Sequence, residues 1–160
     1  MTEQALCFDL LGVTVIGDGL LAGARLDQSI EQLPARHRIG VRAYSTFSHA
    51  SHASNGRLWL IPLGIGSAVF SVGLALWART FDLPARRALP VYVAGVLGAA
   101  HMLSTVKAAM INVTQWRAGI DDIALATVLR RFERWQAVRA ALQFLTFAAA
   151  VWAIAVNGTS

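Results

Sequence analysis

The feature of this sequence that most limits its fold is segment 58–78, which contains no charged residue. About 20 apolar residues in a helix are enough to cross the roughly 30 Å hydrocarbon core of a bilayer. The whole chain is 56% hydrophobic and only 14% charged, whereas soluble domains average about 25% charged residues. Segment 58–78 is therefore predicted to be a transmembrane helix of a membrane protein.

Three further apolar segments are long enough to cross, and they cover residues 5–26, 90–113 and 135–156. The first does not resemble a cleaved signal peptide, because Glu3 stands where such peptides carry basic charge and Asp18 interrupts the apolar run. At 160 residues the chain has the size of one domain. The predicted fold is all-α: a single membrane domain, 1–160, built as a four-transmembrane-helix bundle.

A polar segment, residues 27–57, separates the first two spans and is called the polar insert below. Pro34 disfavours helix at the residue before it, so the first helix is predicted to project from the membrane and stop there. A second helix is predicted over about 38–53, where apolar residues recur at helical spacing. This interfacial helix is expected to lie along the membrane surface, with Tyr44 at headgroup depth.

Polar residues of the third and fourth spans fall on one face of each helix. His101 and Asn112 in the third span are separated by about three helical turns. Gln136, Arg139 and Gln143 in the fourth span lie within about 60° of one another on a helical wheel. Because polar groups are costly against lipid, both faces are predicted to point into the bundle and toward each other.

These inward faces predict a pocket at the end of the bundle that the polar insert covers. A charged Arg139 costs roughly 2.5–3.5 kcal/mol at the bilayer centre and less near the surface, so it needs an inward partner. The expected lining is His101, Asn112 and Arg139, with one or more of Asp27, Glu31 and His37. A plain ion pair between Arg139 and Asp18 is the structural alternative.

His49 and His52 form a candidate metal site, because a spacing of three places both imidazoles on one helical face. Asp27, Glu31 or His37 could complete a set of ligands. A solvated polar face explains the same pair without a metal. With four histidines in the chain, a histidine-rich di-iron site is not expected.

The basic residues lie mostly on the side of the polar insert, beside hydrophobic spans rather than on a soluble face. This distribution indicates orientation in a membrane and not nucleic-acid binding. The positive-inside rule then places the polar insert in the cytoplasm and both termini outside. Thirteen Arg against one Lys is typical of a GC-rich bacterial coding bias, so the expected location is the cell inner membrane, as a multi-pass protein.

Three motifs carry a resemblance to a known family. They are LLAGARLDQSIEQLPARHRIG after the first span, Ile111-Asn112-Val113 with Trp116 after the third, and Arg134-Trp135-Gln136-x-x-Arg139 at the start of the fourth. Their order and spacing resemble a large family of small four-helix membrane proteins that includes the fungal and bacterial anthrone oxygenases. The resemblance implies a monooxygenase that converts a lipophilic aromatic, anthrone-like substrate with O2.

Such a reaction needs a base, a partner for the enolate oxygen and a flat apolar slot. Cofactor-free catalysis is therefore favoured, with a metal or haem left open. The candidate base is His101 or His37, and Arg139 and Asn112 are the candidate hydrogen-bond donors. The candidate substrate contacts are Trp116, Trp135, Asp27, Glu31 and Gln136. In the alternative reading, His101 is a packing residue and the tryptophans are interface anchors.

A non-enzymatic role is the competing hypothesis: a small membrane anchor or accessory subunit, or a protein that binds a lipophilic small molecule without converting it. Small residues suited to helix contacts support this reading. Transport is less favoured, since four spans without a repeat form a pore only as a homo-oligomer.

Overall fold

The computed structural model describes residues 3–80, 83–116 and 121–158, with the backbone alone for residues 3–8 and for Arg57. All regular secondary structure in these ranges is helical, which confirms the predicted all-α class. The α-helices are α1 (Glu3–Asp27), α2 (Leu33–Ile39), α3 (Val41–Ser51), α4 (Arg57–Ala78), α5 (Ala85–Thr114) and α6 (Asp122–Asn157). Two short π-helical turns, Gln28–Gln32 and His52–Gly56, flank α2 and α3.

Three helices, α4, α5 and α6, are long and apolar enough to cross a membrane, with mean hydropathies of 1.9, 1.5 and 1.7 over their most apolar windows. They indicate a multi-pass membrane protein. In α1 the apolar run is interrupted by Asp9, Asp18 and Arg25, and this helix is not among the three.

The four long helices pack side by side, and α5 and α6 share the most extensive contact. The contacts between α4 and α5 involve small residues. A Cβ added to Gly95 would lie 2.5 Å from the Cβ of Ala75, and one added to Gly98 would lie 3.1 Å from the Cβ of Ser71. Glycine at these positions therefore lets the two helices approach closely. Because Gly95 faces Ala75 while Gly98 faces Ser71, the two helices run antiparallel.

The structure differs from the sequence expectation around Pro34. Leu33 was predicted to leave the helical conformation but has φ −65° and ψ −44°. Proline is tolerated in the first turn of a helix, where its missing N–H would have no intrahelical partner. Because α2 begins at Leu33, Pro34 lies in such a first turn. The chain turns instead at Gly40, whose φ of +87° suits glycine, so the second helix begins at Val41 rather than near residue 38.

The polar insert packs on the first turns of α6 through an apolar cluster. Its buried members are Leu33, Tyr44, Ala108, Leu125, Leu129 and Phe132. Tyr44 is 2% exposed within the protein, and its position at headgroup depth stays a prediction. Ile39 and Phe47, which belong to the apolar stripe predicted for the interfacial helix, are about half exposed. The face of α3 that packs is thus the one carrying Tyr44, because α6 extends beyond the apolar spans and covers it.

Two ion pairs also join the polar insert to α6. Arg36 is buried and donates to the carboxylate of Glu133. Arg42 pairs with Asp122 at 2.5 Å, but both side chains are more than half exposed. Exposed pairs contribute about 0–1 kcal/mol, whereas removing one partner of a fully buried pair costs about 3–5 kcal/mol.

Glu133→Gln is expected to loosen the docking of the polar insert by roughly 1–2 kcal/mol, because Arg36 stays buried without its carboxylate while Glu133 itself is partly exposed. Hydrogen exchange of the α3 amides should accelerate. Asp122→Asn, which breaks the exposed pair, is the matched control and should leave this exchange near wild type. Equal exchange in both variants would contradict a role for the Arg36–Glu133 pair.

Candidate functional site

A cavity of about 290 Å³ lies at the end of the bundle nearest the polar insert. It is bounded by the last turn of α1, the first turns of α4, the second half of α5 and the first half of α6. Its lining residues are Arg25, Gln28, His52, Gly56, Leu60, Ile61, Gly64, Ile65, His101, Met102, Thr105, Ala109, Asn112, Phe132 and Arg139. The structure therefore brings His101, Asn112 and Arg139 to one cavity; their catalytic roles stay predictions.

One wall of the cavity is apolar and belongs to α4 and α5. Leu60, Ile61 and Ile65 face Met102 across the gap between these helices. Ile61 and Ile65 are also 47% and 50% exposed on the outer surface. Because these two side chains line the cavity and are also exposed, the cavity opens to the protein surface beside α4, on the insert side of the close contact at Gly95 and Gly98.

The opposite wall is polar and carries two buried arginines. Arg25 and Arg139 are each 6% exposed, and His101 between them is 2% exposed. Nη2 of Arg139 donates to Oε1 of Gln28 at 3.3 Å. The Nε atoms of both arginines are buried without a hydrogen-bond partner.

No carboxylate pairs with either arginine among the residues that the structure describes, where the ion pairs found are Arg36–Glu133 and Arg42–Asp122. The guanidinium groups of Arg25 and Arg139 are instead close enough to each other, and to His101, to interact electrostatically. Buried cations are normally paired, because desolvation costs several kcal/mol for each ion. Two like charges on one cavity wall therefore create a strongly electropositive site.

Asp18 does not form the ion pair with Arg139 that the sequence left as an alternative. Its carboxylate is fully buried deeper in the bundle and accepts hydrogen bonds from Ser67, from Ser71 at 3.1 Å and from Gln143 at 3.2 Å. These neutral donors come from α4 and α6. Asp18 is thereby occupied, and Arg139 is left facing the cavity.

His101 presents a titratable imidazole to the cavity. Its Nε2 lies 3.3 Å from Oγ1 of Thr105, one turn further along α5. A ring nitrogen of a neutral imidazole can accept a hydrogen bond or a proton, and the role of His101 as a base stays a prediction. Asn112 lies two turns after Thr105 along α5. The Oδ1 atom of Asn112 accepts a hydrogen bond from the side-chain amide of Gln115, so the N–H groups of Asn112 remain as donors.

A second, smaller cavity of about 160 Å³ adjoins the first and shares Gln28, His52, Gly56, Leu60 and Asn112 with it. Asp27 and Tyr44 line this cavity on the side of the polar insert. Burial raises the pKa of Tyr44 to about 12, so its phenol stays protonated at physiological pH. The shared residues connect the polar insert with the arginine-bearing cavity.

The remaining predicted site residues lie elsewhere. Glu31 and His37 are exposed and line neither cavity. Gln136 is fully buried and donates to the backbone oxygen of Arg25 at 3.3 Å, so it holds α1 beside α6 rather than facing the cavity. Trp135 is about one third exposed and also lies outside both linings.

Trp116 packs against the two histidines proposed as metal ligands. Its ring centroid lies 5.1 Å from that of His49 and 5.4 Å from that of His52. In the part of the chain that the structure describes, no group of three His, Cys, Asp or Glu side chains could hold a metal ion. His49 and His52 thus form an aromatic cluster with Trp116, and their role as metal ligands stays a prediction.

Arg25 and Gln28 are the site residues that the sequence reasoning missed. Both carry a signal that could have been used, since Arg25 lies about two helical turns beyond the inward-facing Asp18 and Gln28 lies one turn beyond Arg25.

Comparisons of the chain with protein-family models, with curated proteins and with solved structures find no match. The resemblance to the anthrone oxygenases therefore rests on the short motifs quoted above.

Proposed function

We propose that α1 is a fourth transmembrane helix. Its lipid-facing side carries Val13, Ile16 and Leu20, which are 49%, 65% and 62% exposed. Asp18 and Arg25 are buried inside the bundle, whereas Asp9 is exposed near the start of the helix, and the helix contacts both α4 and α6. An apolar outer face with inward charges is the arrangement that a bilayer favours. With four spans in the cell inner membrane, the polar insert is cytoplasmic and both termini are outside.

We further propose that the protein is a membrane-embedded oxygenase of a lipophilic, anthrone-like aromatic. The observation that carries this proposal is the single cavity that combines an apolar wall on α4 and α5 with His101, Asn112 and Arg139. The apolar wall accommodates an aromatic ring system. The polar wall supplies the base and the hydrogen-bond donors that the reaction requires.

In the proposed reaction, His101 removes a proton from the ring carbon opposite the substrate carbonyl. The resulting enolate oxygen is stabilised by Arg139 and Asn112, and the enolate transfers electrons to O2. One oxygen atom becomes the new carbonyl oxygen, and the other leaves as water with the two hydrogens of the oxidised carbon. The residues described here need no bound cofactor for these steps, and a metal or haem stays an open alternative.

Binding without conversion is the second candidate function, because the same cavity would also hold a lipophilic molecule that does not react with O2. The two buried arginines favour it specifically, since they bind an acidic group whether or not chemistry follows. Oxygen consumption distinguishes the two candidates.

His101→Gln is expected to lower the turnover of an anthrone by about 100-fold or more, because general-base catalysis contributes about 10²–10⁴. Turnover is measured as O2 uptake and as the absorbance of the quinone product, with purified protein in nanodiscs. Lys107→Gln, on the exposed side of the same helix, is the matched control. His37→Gln tests the other candidate base.

A wild-type protein that binds the anthrone but consumes no O2 would refute the oxygenase and leave binding as the function. Unchanged turnover in His101→Gln would remove His101 as the base. If His37→Gln lost turnover in its place, the reaction would have to occur outside the cavity, near the exposed surface of α2.

A further inference from the structure

We propose that Arg25 and Arg139 form an anion site that holds the acidic head group of a lipophilic molecule, whose apolar part lies between α4 and α5. This inference deepens the proposed function, since it assigns the group by which a substrate is held, and it rests on that function only for the identity of the reaction. Its test measures binding and is independent of turnover.

Neither arginine has a counter-ion among the residues that the structure describes. Both guanidinium groups are more than nine-tenths buried, yet the only polar contact found for either side chain within the described ranges is the neutral oxygen of Gln28 on Arg139. The carboxylate of Asp18 accepts hydrogen bonds from donors of α4 and α6, and that of Asp27 accepts from the amide of Gln32 at 2.5 Å. The positive charge of this wall is therefore left for a ligand to balance.

The N–H groups of the two arginines have a geometry that suits an anion. An arginine presents five N–H groups in a planar fork, which matches the two oxygens of a carboxylate or the oxygens of a phosphate. Arg25 comes from α1 and Arg139 from α6, and both line the same cavity. Two forks on adjoining helices would close around one anionic group, and its charge would relieve the repulsion between them.

The apolar lining and the volume of the cavity define the rest of the ligand. The apolar part of the lining comes from α4 and α5, and two of its residues, Ile61 and Ile65, are also exposed on the protein surface. A volume of about 290 Å³ is at the small end of ligand sites, which span about 300–1,000 Å³. The ligand class is therefore an amphiphile with one acidic group and a compact apolar body, which reaches the site from the bilayer.

Three fluorescent probes that differ only in the head group test this proposal: anthracene-9-carboxylate, 9-anthracenemethanol and 9-(aminomethyl)anthracene. Binding is measured by anisotropy, with the full-length protein in nanodiscs of zwitterionic phosphatidylcholine and with empty nanodiscs subtracted. The carboxylate is expected to bind at least about tenfold more tightly than the alcohol, and the amine more weakly than both, because hydrogen bonds to charged groups are the strong ones.

Arg25→Met and Arg139→Met are each expected to bring the affinity for the carboxylate down to that for the alcohol. Arg131→Met, an exposed position two turns earlier on α6, is the matched control and should bind as wild type. If a methionine variant does not fold, Arg25→Lys and Arg139→Lys replace it. They keep the charge but lose the fork, so a partial loss for the carboxylate with continued rejection of the amine is expected.

Equal affinities for the three probes would overturn the anion site, and so would unchanged carboxylate binding in the arginine variants. Repeating the titration with phosphatidylglycerol in the nanodiscs identifies the source of the anion. Competition supports the site with a lipid phosphate as its occupant, whereas unchanged binding supports it with a free lipophilic acid. Selective carboxylate binding without O2 uptake would keep the anion site and refute the oxygenase. Turnover of an anthrone without any preference for the carboxylate probe would keep the oxygenase and refute the anion site.

Discussion

Asp18→Leu is expected to destabilise the protein by at least about 2 kcal/mol. The carboxylate of Asp18 accepts hydrogen bonds from Ser67, Ser71 and Gln143. Leucine has no acceptor atom, so all three donors lose this hydrogen bond. A buried donor without a partner costs about 1–3 kcal/mol in soluble proteins, while single interhelical hydrogen bonds in a membrane average about 0.6 kcal/mol. Even the smaller figure, applied to three donors, gives a loss that is readily measured.

The effect should be large because these hydrogen bonds join different helices. Asp18 lies on α1, the two serines lie on α4, and Gln143 on α6 also donates to the backbone oxygen of Asp18 at 3.2 Å. One carboxylate thus connects three of the four long helices near the middle of the bundle. Removing it weakens the packing of α1 in particular, whose contacts are with α4 and α6.

Unfolding of the purified protein in mild detergent, followed by circular dichroism against temperature, measures the loss. Asp18→Asn keeps one acceptor oxygen and the shape of the side chain, so its loss should be smaller. Asp9→Leu replaces an exposed aspartate of the same helix and should leave stability near wild type. If Asp18→Leu melted with wild type, the hydrogen-bond cluster would not be what holds α1 in place.

Arg139→Met is expected to lower kcat for an anthrone by about 100-fold or more, provided that the protein is the proposed oxygenase. Methionine keeps much of the volume and removes the donors that would stabilise the enolate oxygen. Removal of a single donor to a developing oxyanion costs about 10²–10³ in kcat. For an anthrone that carries no acidic group, the loss should fall on kcat more than on KM, because the negative charge develops only as the proton leaves.

Arg139→Lys retains the charge without the planar fork and should recover part of kcat. Arg131→Met, exposed on the same helix, should keep wild-type kcat and shows that a lost positive charge on α6 is not sufficient. The melting temperature of each variant separates loss of turnover from loss of the fold. Full activity of a folded Arg139→Met would place the chemistry away from this cavity.

The sequence alone led to several features of the structure because each depends on local physics. Absence of charge over 58–78 is sufficient to predict α4, since length and hydropathy decide whether a helix can cross a bilayer. The start of α6 was also predictable: Asp121 caps the helix by accepting from the backbone N–H of Ala124 at 2.7 Å. Helical spacing likewise placed His101, Asn112 and Arg139 on inner faces, and they line one cavity.

The sequence could not predict the features that depend on which helices pack against each other. The sequence left the partner of Arg139 open between Asp18 and the polar insert, and only packing decided it, because Ser67, Ser71 and Gln143 come together around Asp18. Arg25 became a site residue for the same reason, since α1 and α6 pack so that both arginines face one space.

The polar insert shows most clearly what hydrophobic periodicity cannot predict. Its periodicity placed Ile39 and Phe47 on an apolar stripe, and only the structure shows that Tyr44 is buried against α6 and that Arg36 pairs with Glu133 from a distant part of the chain. Periodicity reports where apolar residues lie on a helix, and it does not report which surface is available to cover them. The sequence by itself determined the helices and their inward faces. Only the tertiary structure decided that two unpaired arginines share a cavity, because that depends on contacts between residues more than a hundred positions apart.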